Sequence, residues 1–116
     1  MLNLFVIDWN EEELYENIEP FLKEGWNIGY EFNDEIYAKM NVESLKPDVI
    51  IIYLNNSPSK GLNAAHLIKK EESIKSIPLI FVGGKPKEVK KAKKEYPNAI
   101  YTTSDRLSQV LVNLQN

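Results

Sequence analysis

Pro47-Asp48-Val49-Ile50-Ile51-Ile52-Tyr53-Leu54 is the stretch on which the reading of this chain turns. Six consecutive apolar or aromatic residues, Val49 to Leu54, four of them β-branched, lie between a proline and the polar loop Asn55 to Lys60. A strand that faces water on one side alternates polar and apolar residues. A continuous apolar run is instead covered on both faces, as a central parallel strand is. Parallel neighbours need crossover helices, and in open α/β sheets ligands and chemistry gather beyond the carboxyl ends of the central strands. Tyr53 and the loop after it are therefore the first place to seek function.

Downstream, Leu62 to about Lys70 reads as a helix with Leu62, Ala65 and Ile68 inward, followed by the polar loop Glu71 to Ser76. Ile77-Pro78-Leu79-Ile80-Phe81-Val82 is the next strand, closed by Gly83-Gly84. Lys85 to Tyr96 is a lysine-rich helix with Pro86 near its first turn, where a missing N–H is tolerated. Ala99 to Thr102 is a short fifth strand, and Thr103 or Ser104 can cap a final helix carrying Leu107, Val110, Leu111 and Leu114.

Upstream, Leu2 to Ile7 is an apolar run ending at Asp8-Trp9-Asn10, and Asn10 followed by Glu11, Glu12 and Glu13 places an N-cap before acids suited to a helix's positive end. Leu14, Ile18, Phe21 and Leu22 recur at helical spacing up to Gly25, a suitable C′ residue. Pro20 lies inside that pattern and predicts a kink or local break. Trp26 to Phe32 alternates and reads as a half-exposed strand at the sheet edge. Asn33-Asp34-Glu35 caps a second helix through about Leu45, with Ile36, Met40 and Leu45 expected inward. Five strand-then-helix units make residues 1–116 a single α/β domain built on a doubly wound parallel sheet.

Composition agrees. With 43% hydrophobic and 27% charged residues the chain is ordinary for a globular domain, and no apolar run approaches the ~20 residues of a membrane span. The first residues lack the basic region and cleavage site of a signal peptide, and no membrane partner is expected. The absence of cysteine excludes disulfides and thiol chemistry and fits a reducing compartment, so a cytoplasmic location is expected. A net charge of −3 hides an asymmetry: residues 1–50 carry twelve acids and three lysines, the remainder five acids and eleven bases. Such a field orients a partner without naming it.

Taken together, Lys46-Pro47-Asp48-Val49-Ile50-Ile51-Ile52 with Gly61-Leu62 downstream, and Leu67-Ile68-Lys69-Lys70 leading to Ile77-Pro78-Leu79-Ile80-Phe81-Val82, resemble the receiver domain of bacterial response regulators over nearly the whole chain. The resemblance implies the flavodoxin/CheY-like (βα)5 fold, strand order 2-1-3-4-5, and a place in two-component signal transduction. It also places the family's chemistry on particular residues. Of the two acids that close the first strand and hold Mg²⁺, Asp8 keeps the first place and Trp9 stands in the second. The phosphorylated aspartate falls on Tyr53, the switch Ser/Thr on Gly83, and the lysine closing the fifth strand on Thr103 or Ser104. A phenol of pKa near ~10 does not replace a carboxylate as phosphoryl acceptor, and Mg²⁺ in phosphoryl sites usually relies on one or two carboxylates together with phosphate oxygens. The resemblance is thus to a degenerate pseudo-receiver, with no catalysis, cofactor or metal expected. Trp9 and Tyr53 either plug the emptied acidic pocket or mark drift that left whatever packed.

Three other features have functional and plain readings. Gly83-Gly84-Lys85 before a helix either cradles a phosphate or is an ordinary strand-to-helix turn. His66, the one histidine, is expected to be a partly buried structural imidazole. Lys85, Lys87, Lys90, Lys91, Lys93 and Lys94 form a solvated face, a phosphate-attracting stripe, or a docking face for an acidic protein or a second copy. In receivers the region of the fourth and fifth helices is the usual partner surface, so Lys87, Lys90, Lys91 and Lys94 are the candidate partner-binding residues. A cluster without arginine, and no helix-turn-helix after it, argue against sequence-specific nucleic acid. The expected function is a phosphorylation-independent signalling or protein-interaction module. The competing expectations are a small-molecule or anion binder using the crevice of Asp8, Tyr53, Asn55 to Ser59 and Gly83, or the receiver part of a longer regulator.

Overall fold

A computed structural model describes all 116 residues. The elements are β1 (Asn3–Ile7), α1 (Glu11–Lys23), β2 (Asn27–Glu31), α2 (Glu35–Leu45), β3 (Val49–Tyr53), α3 (Pro58–Lys69), β4 (Leu79–Val82), α4 (Pro86–Glu95), β5 (Ile100–Thr102) and α5 (Leu107–Gln115). The five strands form one sheet of order β2-β1-β3-β4-β5, every pair parallel. The expected 2-1-3-4-5 doubly wound architecture is thus present.

No residue of β3 is more than 3% exposed, and alternation divides its side chains between two helical layers. Ile50 and Ile52 join Phe5, Ile7, Leu79 and Phe81 under α2, α3 and α4, where Ala38, Val42, Ala64, Ala65, Ile68 and Ala92 close the cluster. Val49, Ile51 and Tyr53 join Leu4, Val6, Ile80 and Val82 under α1 and α5, sealed by Leu14, Ile18, Leu107 and Leu111. β2 lies at one edge as its alternation predicts, while Trp26 precedes the strand and is buried beside Phe21.

Several local expectations are corrected. In α2 the inward residues are Ala38 and Val42, both fully buried, whereas Ile36, Met40 and Leu45 are 59%, 54% and 59% exposed. The small side chains let α2 pack closely against Ala64 and Ala65 of α3, a fit that bulky residues would prevent. α1 runs through Pro20 without a break; Pro20 is exposed, so the lost backbone bond falls on the side where water can serve the free carbonyl. α3 begins four residues earlier than expected, because Pro58 takes the first helical position and Ser57, at φ 48°, turns the chain into it. Neither Thr103 nor Ser104 caps α5; its N-cap is Arg106, without a side-chain bond. His66 is exposed rather than partly buried, on the outer face of α3.

The two faces of α2 and the centre of β3 give a direct check. Ile51→Ala, which empties a site with no exposure, is expected to cost about 2–5 kcal/mol in urea unfolding. Ile36→Ala should stay within about 0.5 kcal/mol of the parent.

Candidate functional site

The carboxyl ends of β1, β3 and β4 meet around Asp8, the one fully buried ionisable side chain. Its carboxylate accepts from three N–H groups: the backbone of Asn10 at 3.3 Å, the Asn17 amide of α1 at 3.1 Å, and the Asn56 amide of the β3–α3 loop at 3.4 Å. The same Asn56 nitrogen donates to the Glu13 carboxylate, so one amide bridges two acids. Asn10 turns back as the α1 N-cap, accepting from the Glu13 backbone N–H at 3.0 Å. Burial pushes the Asp8 carboxyl above the ordinary carboxylate value, and the charge of Glu13 adds to the rise. The bonds from Asn56, Asn10 and Asn17 oppose it.

Tyr53 closes β3 on the same side of the sheet, 3% exposed, its phenol pushed upward first by burial and then by the charge of Asp8. Trp9 goes the other way. It packs against the cluster under α2, α3 and α4, with its indole nitrogen buried, unpaired and close to Gly61. The Lys60 ammonium stands 4.5 Å from the centre of its ring. Trp9 and Tyr53 therefore lie on opposite faces of the sheet and do not form one plug.

At Gly83 a different side chain takes the space. Gly83 and Gly84 have φ 71° and 95°, and a Cβ on Gly83 would stand 2.4 Å from the Asn55 Oδ1. That oxygen accepts from the Gly84 N–H at 2.8 Å. The turn after β4 is thus wrapped around Asn55, and the Gly84 N–H that would face a phosphate is already bonded to the protein. Thr103 and Ser104 are exposed beyond β5, and the Thr103 hydroxyl donates to Asp105.

Asn17 is the residue that the sequence did not point to, and Asn55 and Asn56 were expected only as part of the Asn55 to Ser59 crevice loop, with no role of their own. Asn17 is a polar residue beside Ile18 on the inward edge of α1. Nothing in their spacing shows that they converge on Asp8 and Gly84.

The Mg²⁺ that a receiver fold implies does not fit this donor set. Both Asp8 oxygens face N–H donors, Tyr53 offers a protonated phenol, and Trp9 is on the other face. None of the five main surface clefts is lined by Asp8 or Tyr53. A shallow groove of about 290 Å³ on the β5 side is lined by Gly83, Gly84, Val89, Lys93, Tyr101, Thr102, Thr103 and Arg106, so Gly83 and Thr103 share it without Asp8 or Tyr53.

On α4 the side chains of Lys87, Lys90, Lys91 and Lys94 are exposed, and the molecule's salt bridges involve only Lys23, Lys39 and Lys75. Lys93 instead lies over the Tyr101 ring at 5.5 Å, and Glu88 caps the helix by accepting from the Lys85 N–H.

No protein-family model matches this sequence, and no curated protein matches it. Solved structures do. A response regulator from Desulfuromonas acetoxidans is 22% identical, with 99% of this chain and 97% of that one superposed at a TM-score of 0.78. The fold is that of a response-regulator receiver domain. The chemotaxis protein CheY4 of Vibrio cholerae superposes on this receiver fold with a TM-score of 0.77 at 14% identity, over 97% and 98% of the two chains. NtrX from Brucella abortus matches at 0.74 and 19% identity over 97% of this chain but 26% of its own, so the same fold also occurs within a much longer protein.

The titration of Asp8 in this receiver fold yields a test. A carboxyl raised by folding binds its proton more tightly in the folded than in the unfolded chain. The stability this gives is full below the ordinary value of 3.8 and is lost as pH rises through the folded value. Asp8→Asn removes the buried charge but turns an amide N–H towards a donor. Whatever the difference in melting temperature at pH 7, the parent should therefore gain on the variant as pH falls towards 4, and thermal melts across pH 3–8 measure it.

Proposed function

We propose that this chain is a signalling module of the receiver type that works without aspartyl phosphotransfer, has no enzymatic activity, and acts by binding another protein through the lysine face of α4. The observation that carries the reading is Tyr53. It ends β3, where the resemblance places the phosphoryl acceptor, and it is a buried, protonated phenol. The surroundings support the same conclusion. Amide donors occupy the Asp8 carboxylate, and Asn55 fills the turn that would otherwise carry a switch hydroxyl. With Asn55 and Asn56 tying the β3–α3 loop to both Asp8 and Gly84, these loops rest in one arrangement without a phosphoryl group.

The lysine face supplies the binding half of the proposal. Lys87 with Lys91 and Lys90 with Lys94 are like-charge pairs one turn apart, each costing on the order of a few tenths of a kcal/mol in an isolated helix. An acidic partner relieves that repulsion and is steered in by the field. The competing reading, a small-molecule or anion site at Asp8 and Tyr53, draws on none of the five main clefts, which neither residue lines. The lining of the groove at Gly84, Lys93 and Arg106 is shallow and surface-bound.

Titration with Mg²⁺ and acetyl phosphate or beryllofluoride should leave the amide spectrum of the protein unchanged. Saturable Mg²⁺-dependent shifts at Asp8, Tyr53 and Gly84 would overturn the proposal.

A further inference from the structure

Ile36, Tyr37 and Met40 are 59%, 56% and 54% exposed, and all belong to the eleven residues of α2. Positions i, i+1 and i+4 of a helix fall within an arc of about 100°, so the three side chains form one stripe. Ala38 and Val42 lie on the opposite side and are fully buried. α2 therefore turns its smallest apolar residues to the core and its largest to solvent. A lone exposed hydrophobe needs no explanation, but a stripe of three on one helix marks a surface that meets another.

The charge around that stripe says what kind of surface it meets. Between the end of β2 and the C-cap of α2 the chain carries Glu31, Asp34, Glu35 and Glu43 against Lys39 and Lys46, with Lys39 already bridged to Glu43 and Glu71, so the balance beside the stripe is acidic. The complement is on the same molecule. Lys87, Lys90, Lys91 and Lys94 also span about 100° of α4, and none of them has an ion-pair partner. The two stripes stand at opposite ends of one helical layer, α2 over the β2 edge and α4 towards β5, with α3 between them. A single copy cannot bring its own together.

We propose that the α2 stripe is the receptor for the α4 lysine stripe of a second copy, joined head to tail. This rests on the reading of α4 as a docking face and adds its counterpart. The aliphatic stems of the lysines cover Ile36 and Met40 while their ammonium groups reach the Tyr37 ring and the surrounding carboxylates. Each contact leaves one α2 and one α4 free at the ends, so association is heterologous and open-ended.

Sedimentation at low salt tests this with two surface variants, each first shown to melt like the parent. The first is Lys87→Gln, Lys90→Gln, Lys91→Gln, Lys94→Gln, which keeps the receptor. The second is Ile36→Lys, Met40→Lys, which keeps the lysines. The parent is expected to grow beyond a dimer with concentration, and each variant alone to stay monomeric. The mixture should form a 1:1 heterodimer that grows no further and that dissociates as salt rises from about 50 mM to about 500 mM. A monomeric parent, or a mixture that stays monomeric, overturns the proposal. If the second variant associates like the parent while the first does not, the α2 receptor is wrong and the α4 docking face stands. Association of both variants alone sinks both.

Discussion

A strand buried on both faces has no solvent to satisfy its backbone, so each N–H and C=O of Val49 to Tyr53 must find a partner in a neighbouring strand. β1 and β4 supply these partners, in parallel, and this single requirement organises the molecule. Parallel pairing forces the long crossovers, and the crossovers become the helices that shield the two faces. α2, α3 and α4 cover Ile50 and Ile52, and α1 and α5 cover Val49, Ile51 and Tyr53. All five strands then end on the same side, so the loops that follow β1, β3 and β4 are brought together whatever their sequence.

That proximity lets the loops satisfy one another's polar groups. A buried carboxylate in a low-dielectric setting is costly unless hydrogen-bonded, and Asp8 collects its donors from its own turn at Asn10, from Asn17 two turns into α1, and from Asn56 in the distant β3–α3 loop. Asn55 performs the equivalent task for the turn at Gly83 and Gly84. Amide side chains thus join β1, the β3–α3 loop and the β4–α4 turn into one bonded unit.

The helices α2 and α4 are unequal. α4 buries little beyond Ala92 and presents lysines, whereas α2 buries Ala38 and Val42 and presents Ile36, Tyr37 and Met40. Both contribute little bulk to the core for their length. The cost to the monomer is modest because α3, between them, carries Leu62, Ala64, Ala65 and Ile68 inward.

The order of strands and helices, the central place of Val49 to Tyr53 and the edge position of the segment around β2 were legible in the sequence, because burial on two faces, on one face or on a helical stripe each imposes its own periodicity. The juxtaposition of Asp8 and Tyr53 was legible as well, since both end parallel strands. Three things were not. Which face of α2 is buried depends on how closely α3 approaches, and Ala38 and Val42 win over bulkier residues through fit rather than hydrophobicity. Trp9 and Tyr53 separate because the side to which a residue beyond a strand end points is fixed by the turn, not by its type. The amide partners of Asp8 and Gly84 come from segments whose spacing carries no signal. A hydrogen bond needs its two groups within about 3 Å, and only the folded sheet brings Asn17, Asn55 and Asn56 that close.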